Sequence, residues 1–92
     1  MRAAYLISSY STPEHYILYR KTEIDGNCYY EIWNSRKERK WIESDDAFGV
    51  FFGFEDDTRY ISEEEVVEIL ANFGETIQPY VYKKEGVKQT VA

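Results

Sequence analysis

Side chains able to perform nucleophilic or acid–base chemistry are scarce in this chain. His15 is the only histidine and Cys28 the only cysteine. A nucleophile needs a positioned base beside it, and a single histidine next to the turn at Pro13 is more typical of an exposed strand edge. Cys28 falls on the expected inward face of a strand, where a thiol is inert. The inventory therefore predicts a protein that is not an enzyme.

Carboxylates are plentiful, but their spacing does not match a metal site. Asp45-Asp46 and Glu55-Asp56-Asp57 supply the oxygen ligands that Ca²⁺ and Mg²⁺ accept. An EF-hand loop needs alternating ligands, a central glycine and a distant glutamate, and that order does not follow Asp56. Residues 49–53 lack the Lys-Ser/Thr of a phosphate-binding loop, and one cysteine with one histidine cannot form a zinc site. We expect no metal and no cofactor.

The acidic residues are concentrated in one part of the sequence. Residues 44–68 contain nine carboxylates and a single cation, Arg59, a net charge of −8 against −6 for the whole chain. Glutamates at a helix N-terminus are stabilised by the helix dipole, so ordinary solvation is one interpretation. The alternative is that the acidic half docks on a basic macromolecule, with a protein favoured over direct binding of nucleic acid, because complementary potentials speed association.

Aromatic side chains beside the carboxylates would anchor such a complex, since aromatic residues concentrate interface energy. The predicted partner-binding residues are Asp45, Asp46, Phe51, Phe54, Glu55, Asp56, Asp57, Glu63 and Glu64. Small acidic inhibitors, immunity proteins and phage-borne anti-defence proteins share this general make-up. That likeness is one of composition, and no motif supports it.

Two other functions remain open. The sheet could stack a small nucleotide on its aromatic residues while a basic turn holds the phosphates, although a negative net charge opposes binding to a nucleic-acid polymer. The candidates for that site are Tyr29, Trp33, Arg36, Lys37, Arg39, Lys40 and Trp41. An intracellular homodimer could instead form by pairing of an edge strand such as the one expected at 77–84.

Length and composition predict one small domain. The chain has 92 residues, of which 43% are apolar and 17% aromatic, enough for one modest core. We expect the domain to span 1–84 and residues 85–92 to form a flexible tail. The N-terminal apolar stretch is too short for a signal peptide or a membrane span, and a lone cysteine suits a reducing compartment, so the cytoplasm is the expected location.

Strands are predicted at 4–10, 15–22, 28–34, 40–43 and 77–84, with Pro79 confining the last to an edge. Asp25-Gly26-Asn27 predicts a tight hairpin turn. In the third strand one face consists of Cys28, Tyr30 and Ile32. Tyr29 and Trp33 fall on the other face, which also contains Glu31 and which we expect to be partly exposed.

One main helix is predicted over 63–73, because Ser62 and Glu65 form a capping box and Gly74 follows the last turn. Its apolar stripe is formed by Val66, Ile69, Leu70 and Phe73. A short helical turn at 45–51 competes with an extended conformation over 47–54. The fold class is therefore α+β: an antiparallel four- to five-stranded meander packed against helix 63–73.

Overall fold

The computed structural model describes residues 2–37, 39–53 and 57–80. The predictions made for Phe54, Glu55 and Asp56, and for the tail at 85–92, lie outside these residues. So does the 81–84 part of the expected last strand.

The described residues form a five-stranded antiparallel sheet with two helices, which confirms the α+β prediction and the short helix at 45–51. The elements are β1 (Arg2–Ser8), β2 (Ile17–Ile24), β3 (Asn27–Asn34), β4 (Ile42–Glu43), α1 (Asp45–Phe51), β5 (Thr58–Ile61) and α2 (Glu63–Asn72). The strand order is β4-β3-β2-β1-β5, so the first four strands form the predicted meander. The connection through α1 then crosses from one edge of the sheet to the other, where β5 pairs with β1.

The predicted turn sets the register of the longest hairpin. Asp25 and Gly26 both have positive φ angles, 53° and 82°, as the tightest two-residue hairpin turn requires. Ile24 pairs with Asn27 directly across the turn, and the ladder continues to Ile17 and Asn34.

The predicted capping box is formed at the start of α2. The Glu65 backbone N–H donates to Ser62 Oγ at 3.1 Å, and the Ser62 N–H donates to Glu65 Oε1 at 3.4 Å. The helix ends at Asn72, and Gly74 follows with a φ of 76°. Val66 and Leu70 are buried, as the stripe predicts.

The two helices lie on opposite faces of the sheet, because neighbouring residues of a strand point to opposite faces. Leu18 pairs with Trp33 and packs with Val66 of α2 in the main core cluster. Lys21 pairs with Tyr30, and this pair is three positions from the Leu18–Trp33 pair, so its side chains point to the other face. There the Tyr30 ring contacts three phenylalanines in and next to α1. The sheet is thus covered on both faces, whereas the sequence suggested a single helical layer.

Two predictions about which β3 side chains are buried are wrong. Trp33, expected to be partly exposed, is only 1% exposed, and Cys28, expected to be buried, is exposed. The inward face contains Glu31, whose charge is compensated by Arg20 on β2: Nη2 of Arg20 lies 2.6 Å and Nε 2.8 Å from Glu31 Oε1. This buried ion pair allows a charged residue and a tryptophan to share the core face.

Residues 77–80 do not form the expected strand. They are attached to the sheet by side chains instead. The Gln78 carbonyl oxygen accepts a hydrogen bond from Arg20 Nη1 at 2.5 Å, and Tyr80 is buried. Within the described ranges, no helix has the length and apolar character needed to cross a bilayer.

Candidate functional site

Large apolar side chains are exposed side by side on the α1 face of the sheet. Phe48 is 44% exposed, Phe52 57% and Tyr60 68%. Their rings form a connected group with two partly buried neighbours, and we call this group the aromatic face: Tyr30, Phe48, Phe51, Phe52 and Tyr60.

The geometry of α1 produces this exposure. Ser44 caps the helix by accepting a hydrogen bond from the Asp46 N–H at 3.1 Å. Ala47 and Val50, three residues apart, are the buried residues of the helix. Phe48 and Phe52 lie beside this buried stripe on the helix surface, so they project beside the sheet, with ring centroids 4.6 Å apart. Tyr30 of β3 meets Phe48 edge-on at 5.1 Å.

A cavity of about 460 Å³ adjoins the aromatic face and shares two residues with it. It lies where the short strand β4 ends and the chain turns into α1, beside the start of β3. We call it the acidic pocket, and it is lined by Cys28, Tyr29, Tyr30, Glu43, Ser44, Asp45 and Phe48. Two of these residues are carboxylates and none is a cation.

Tyr80 contacts two residues that line the acidic pocket, Glu43 and Tyr29. Its hydroxyl donates a hydrogen bond to Glu43 Oε2 at 2.6 Å, and its ring stacks on Tyr29 with centroids 4.5 Å apart. Burial, followed by the hydrogen bond and negative charge of Glu43, raises the pKa of the Tyr80 phenol above its usual value. On the other side, burial and then the neighbouring Cys28 thiol raise the pKa of Tyr30. Both phenols are therefore neutral hydrogen-bonding groups at physiological pH.

The chain matches no protein-family model, no curated protein and no solved structure.

The acidic residues predicted to bind a partner are divided between the two faces. Asp45 and Asp46 begin α1, next to the aromatic face, whereas Glu63 and Glu64 begin α2 on the opposite face. Asp57 accepts a hydrogen bond from the Tyr10 hydroxyl at 3.3 Å. We predicted that these carboxylates share one surface. That prediction is wrong, because α1 and α2 cover opposite faces of the sheet.

Phe51, the other predicted anchor within the described residues, is half-buried. Its ring centroid lies 6.0 Å from Tyr30 and 6.4 Å from Tyr60. Its role in the aromatic face is thus to support more exposed rings.

The residues proposed for nucleotide stacking do not form an exposed stacking surface. Trp33 lies in the core, and Trp41 is partly buried beneath the Arg20 guanidinium, 4.3 Å from its ring centroid. Tyr29 is covered on one side by Tyr80. The basic residues proposed to hold the phosphates belong to the turn between β3 and β4, where Arg36, Lys37, Arg39 and Lys40 are exposed.

His15 and Cys28 are also far apart. His15 Nε2 lies 2.9 Å from Asn34 Oδ1, at the end of β3, whereas Cys28 lies at its start. Six residues of extended strand separate the two positions by roughly 20 Å. His15 is half-buried rather than exposed as predicted. In the described part of the chain, no group of three His, Cys, Asp or Glu side chains is placed to hold a metal ion.

A second cavity, of about 270 Å³, lies on the α2 face between the sheet and residues 77–80. Arg20 lines it, but this cation already pairs with Glu31 and donates to the Gln78 carbonyl. Burial raises the pKa of Tyr5, another lining residue, and Arg20 opposes that shift. With its one cation already paired, this cavity is a weaker candidate for ligand binding than the acidic pocket.

Phe48, Phe52 and Tyr60 were missed by the sequence analysis. The i, i+4 spacing of Phe48 and Phe52 was the available signal, but it has meaning only if residues 45–51 are helical. In the competing extended conformation over 47–54, alternate residues share a face, so Phe48 and Phe52 would also lie together and their spacing did not identify a helix.

Proposed function

We propose that this protein is a small, non-catalytic binding protein that docks on a basic partner protein through its aromatic face and acidic pocket, in the manner of inhibitor, immunity or anti-defence proteins. The observation that supports this most directly is the exposure of Phe48 and Phe52 in contact with each other, with the exposed Tyr60 linked to them through Phe51 and Tyr30. A contiguous apolar patch rimmed by charged residues is typical of a protein interface.

The energetics favour a covered aromatic face. Burial of a phenylalanine side chain stabilises a complex by roughly 1.5 to 3 kcal/mol. Phe48 and Phe52 gain only part of this from packing on each other and on Tyr30. A partner that covers the rings would gain the remainder.

The negative charge beside the aromatic face favours a basic partner. Asp45 and Asp46 lie exposed at the start of α1, and the chain as a whole has a net charge of −6. A basic partner is steered toward this surface, whereas a second copy of the chain would bring like charges together. A heteromeric complex is therefore favoured over a homodimer through this face.

His15 and Cys28 are not placed to act together, since His15 contacts Asn34 at the end of β3 whereas Cys28 lies at the start of that strand. The burial of Trp33 argues against nucleotide stacking on the sheet, because its ring is already enclosed by the core. We place the interaction in the cytoplasm, where an exposed free thiol such as Cys28 stays reduced.

A displayed library of random peptides tests this proposal, because it offers basic, neutral and acidic sequences to the same surface. Peptides are selected on the wild-type protein and then compared on Phe52→Ser and on Val67→Ser. Val67 is the matched control, because it is 42% exposed on α2, at the opposite face. We expect enriched peptides to be basic, and to lose at least about tenfold in affinity on Phe52→Ser but not on Val67→Ser.

Neutral or acidic peptides, or peptides indifferent to Phe52, would refute the proposal. Sedimentation velocity gives a second check. A dimer that dissociates on Phe52→Ser would show that the aromatic face binds a second copy instead of a basic partner.

A further inference from the structure

We infer that the acidic pocket is the receptor for an arginine side chain of the basic partner. This inference rests on the proposed function and specifies the chemistry of its central contact. It follows from three features of the pocket: its charge, its aromatic wall and the hydrogen bond that holds Glu43.

The charge of the pocket is not compensated within the described residues. Glu43 and Asp45 both line it, and neither takes part in an ion pair there. At about 460 Å³, the cavity falls within the size range typical of ligand pockets. A cation bound in this cavity would face two carboxylates and no competing positive charge among the lining residues.

The wall of the pocket favours a planar cation. Tyr30 and Phe48 both line it, with ring centroids 5.1 Å apart and planes at 86°. Aromatic rings in the lining of an acidic cavity favour a guanidinium, which stacks on a ring face. Arginine combines this stacking with several N–H donors in a fixed fork that suits carboxylate oxygens, whereas a lysine ammonium is a compact, strongly hydrated charge.

The Glu43 carboxylate and the backbone at Asp45 are held in place before any ligand arrives. The Tyr80 hydroxyl donates to Glu43, and Tyr80 stacks on Tyr29, which fixes this side of the pocket. On the other side, the Ser44 cap fixes the first turn of α1, which contains Asp45. Preorganisation of this kind reduces the entropy lost on binding.

The pocket and the aromatic face meet at Tyr30 and Phe48. A partner segment could thus place an arginine in the pocket while its neighbouring apolar side chains cover Phe52. This arrangement combines a charged anchor with an apolar contact, as is common at interface hot spots.

Titration of the full-length, ¹⁵N-labelled protein with three capped amino-acid amides tests the inference. N-acetyl-arginine amide is the probe, N-acetyl-citrulline amide is its neutral isostere, and N-acetyl-lysine amide is the competing cation. We expect saturable shifts of the Cys28, Tyr30 and Phe48 amides with arginine. Citrulline should bind at least about fivefold more weakly, since it lacks the charge, and lysine at least about threefold more weakly, since it stacks less well.

The variant Asp45→Asn tests the charge, with Glu64→Gln as its matched control. Both changes remove one carboxylate from the first turn of a helix, so they cause a similar loss of helix-dipole stabilisation. Only Asp45 lines the pocket. We expect Asp45→Asn to weaken arginine binding about fivefold and Glu64→Gln to leave it unchanged.

The inference is overturned if arginine causes no shift at these amides, if citrulline or lysine binds as well as arginine, or if the two variants behave alike. Its failure can be distinguished from failure of the proposed function. Selected basic peptides that depend on Phe52 but not on Asp45 would leave the docking proposal intact and reject only the arginine receptor.

Discussion

The hydroxyl of Tyr80 donates a 2.6 Å hydrogen bond to the carboxylate of Glu43, 37 positions earlier in the chain. This contact links residues 77–80 to the edge strand β4 and to the acidic pocket. Since Tyr80 also stacks on Tyr29, one buried side chain supports both a strand end and a pocket wall.

We expect Tyr80→Phe to lower the free energy of unfolding by about 1 to 2 kcal/mol, because the ring stack remains while a hydrogen bond to a carboxylate is lost. Urea denaturation measures the change. Tyr10→Phe is the matched control, since Tyr10 donates to Asp57 from a largely exposed position, at 3.3 Å. Equal losses in the two variants would contradict a special role for the Tyr80 contact.

Stability should decrease in alkaline solution. The pKa values of Tyr5 and Tyr80 are raised above the ordinary 10.0, in both cases mainly by burial. The folded protein therefore keeps these protons at a pH where the unfolded chain has released them, so the stabilisation is complete below pH 10 and is lost as pH rises further. Urea denaturation at several pH values measures the trend, and Tyr80→Phe should reduce its slope. If the free energy of unfolding increased above pH 10, this assignment would be contradicted.

The buried Arg20–Glu31 pair should be intolerant of single substitutions. Arg20→Met leaves the Glu31 carboxylate buried without its cation, and we expect a loss of about 3 to 5 kcal/mol. The double variant Arg20→Met with Glu31→Leu should recover most of that loss, because no uncompensated charge remains. Thermal and urea denaturation compare the variants.

The exposed pair Arg2–Glu23, with a 3.1 Å separation, is the control for that prediction. Arg2→Ala should change the free energy of unfolding by no more than about 1 kcal/mol, since solvent screens the pair. A single-variant cost at Arg20 as small as this would show that the other contacts of Glu31 compensate for the loss of the Arg20 cation.

Phe52 should be dispensable for folding, unlike the core residues beneath α2. Phe52→Ser should cost no more than about 1 kcal/mol, because the ring is mostly exposed and loses mainly its contacts with Phe48 and Tyr30. Leu70→Ala should cost about 2 to 5 kcal/mol, because Leu70 is fully buried in the core cluster. Chemical denaturation distinguishes the two, and comparable losses would mean that Phe52 is a core residue.

Features that depend on a few neighbouring residues were predictable. The Asp25-Gly26 turn needs two positive φ angles, and the Ser62–Glu65 capping box needs two side chains three positions apart. The apolar stripe of α2 likewise repeats within a single helix. Each of these is satisfied by local geometry, so the sequence pattern was sufficient.

The orientation of β3 was not predictable in the same way. Alternation shows that Tyr29, Glu31 and Trp33 share a face, but it does not show which face meets the core. Because Glu31 is charged, its presence predicted that this face is exposed to solvent. Arg20, 11 positions earlier in the chain, lies directly opposite Glu31 in the sheet and compensates its charge, which allows this face to be buried.

The chain by itself determined an antiparallel α+β meander, a capped second helix and a surplus of negative charge, because these follow from local backbone preferences and from composition. Only the tertiary structure decided that α1 and α2 cover opposite faces, that the carboxylates are divided between them, and that Phe48 and Phe52 are exposed beside Asp45. The physical reason is that burial and shared surfaces depend on contacts between residues far apart in the chain, such as Leu18 with Val66 and Glu43 with Tyr80.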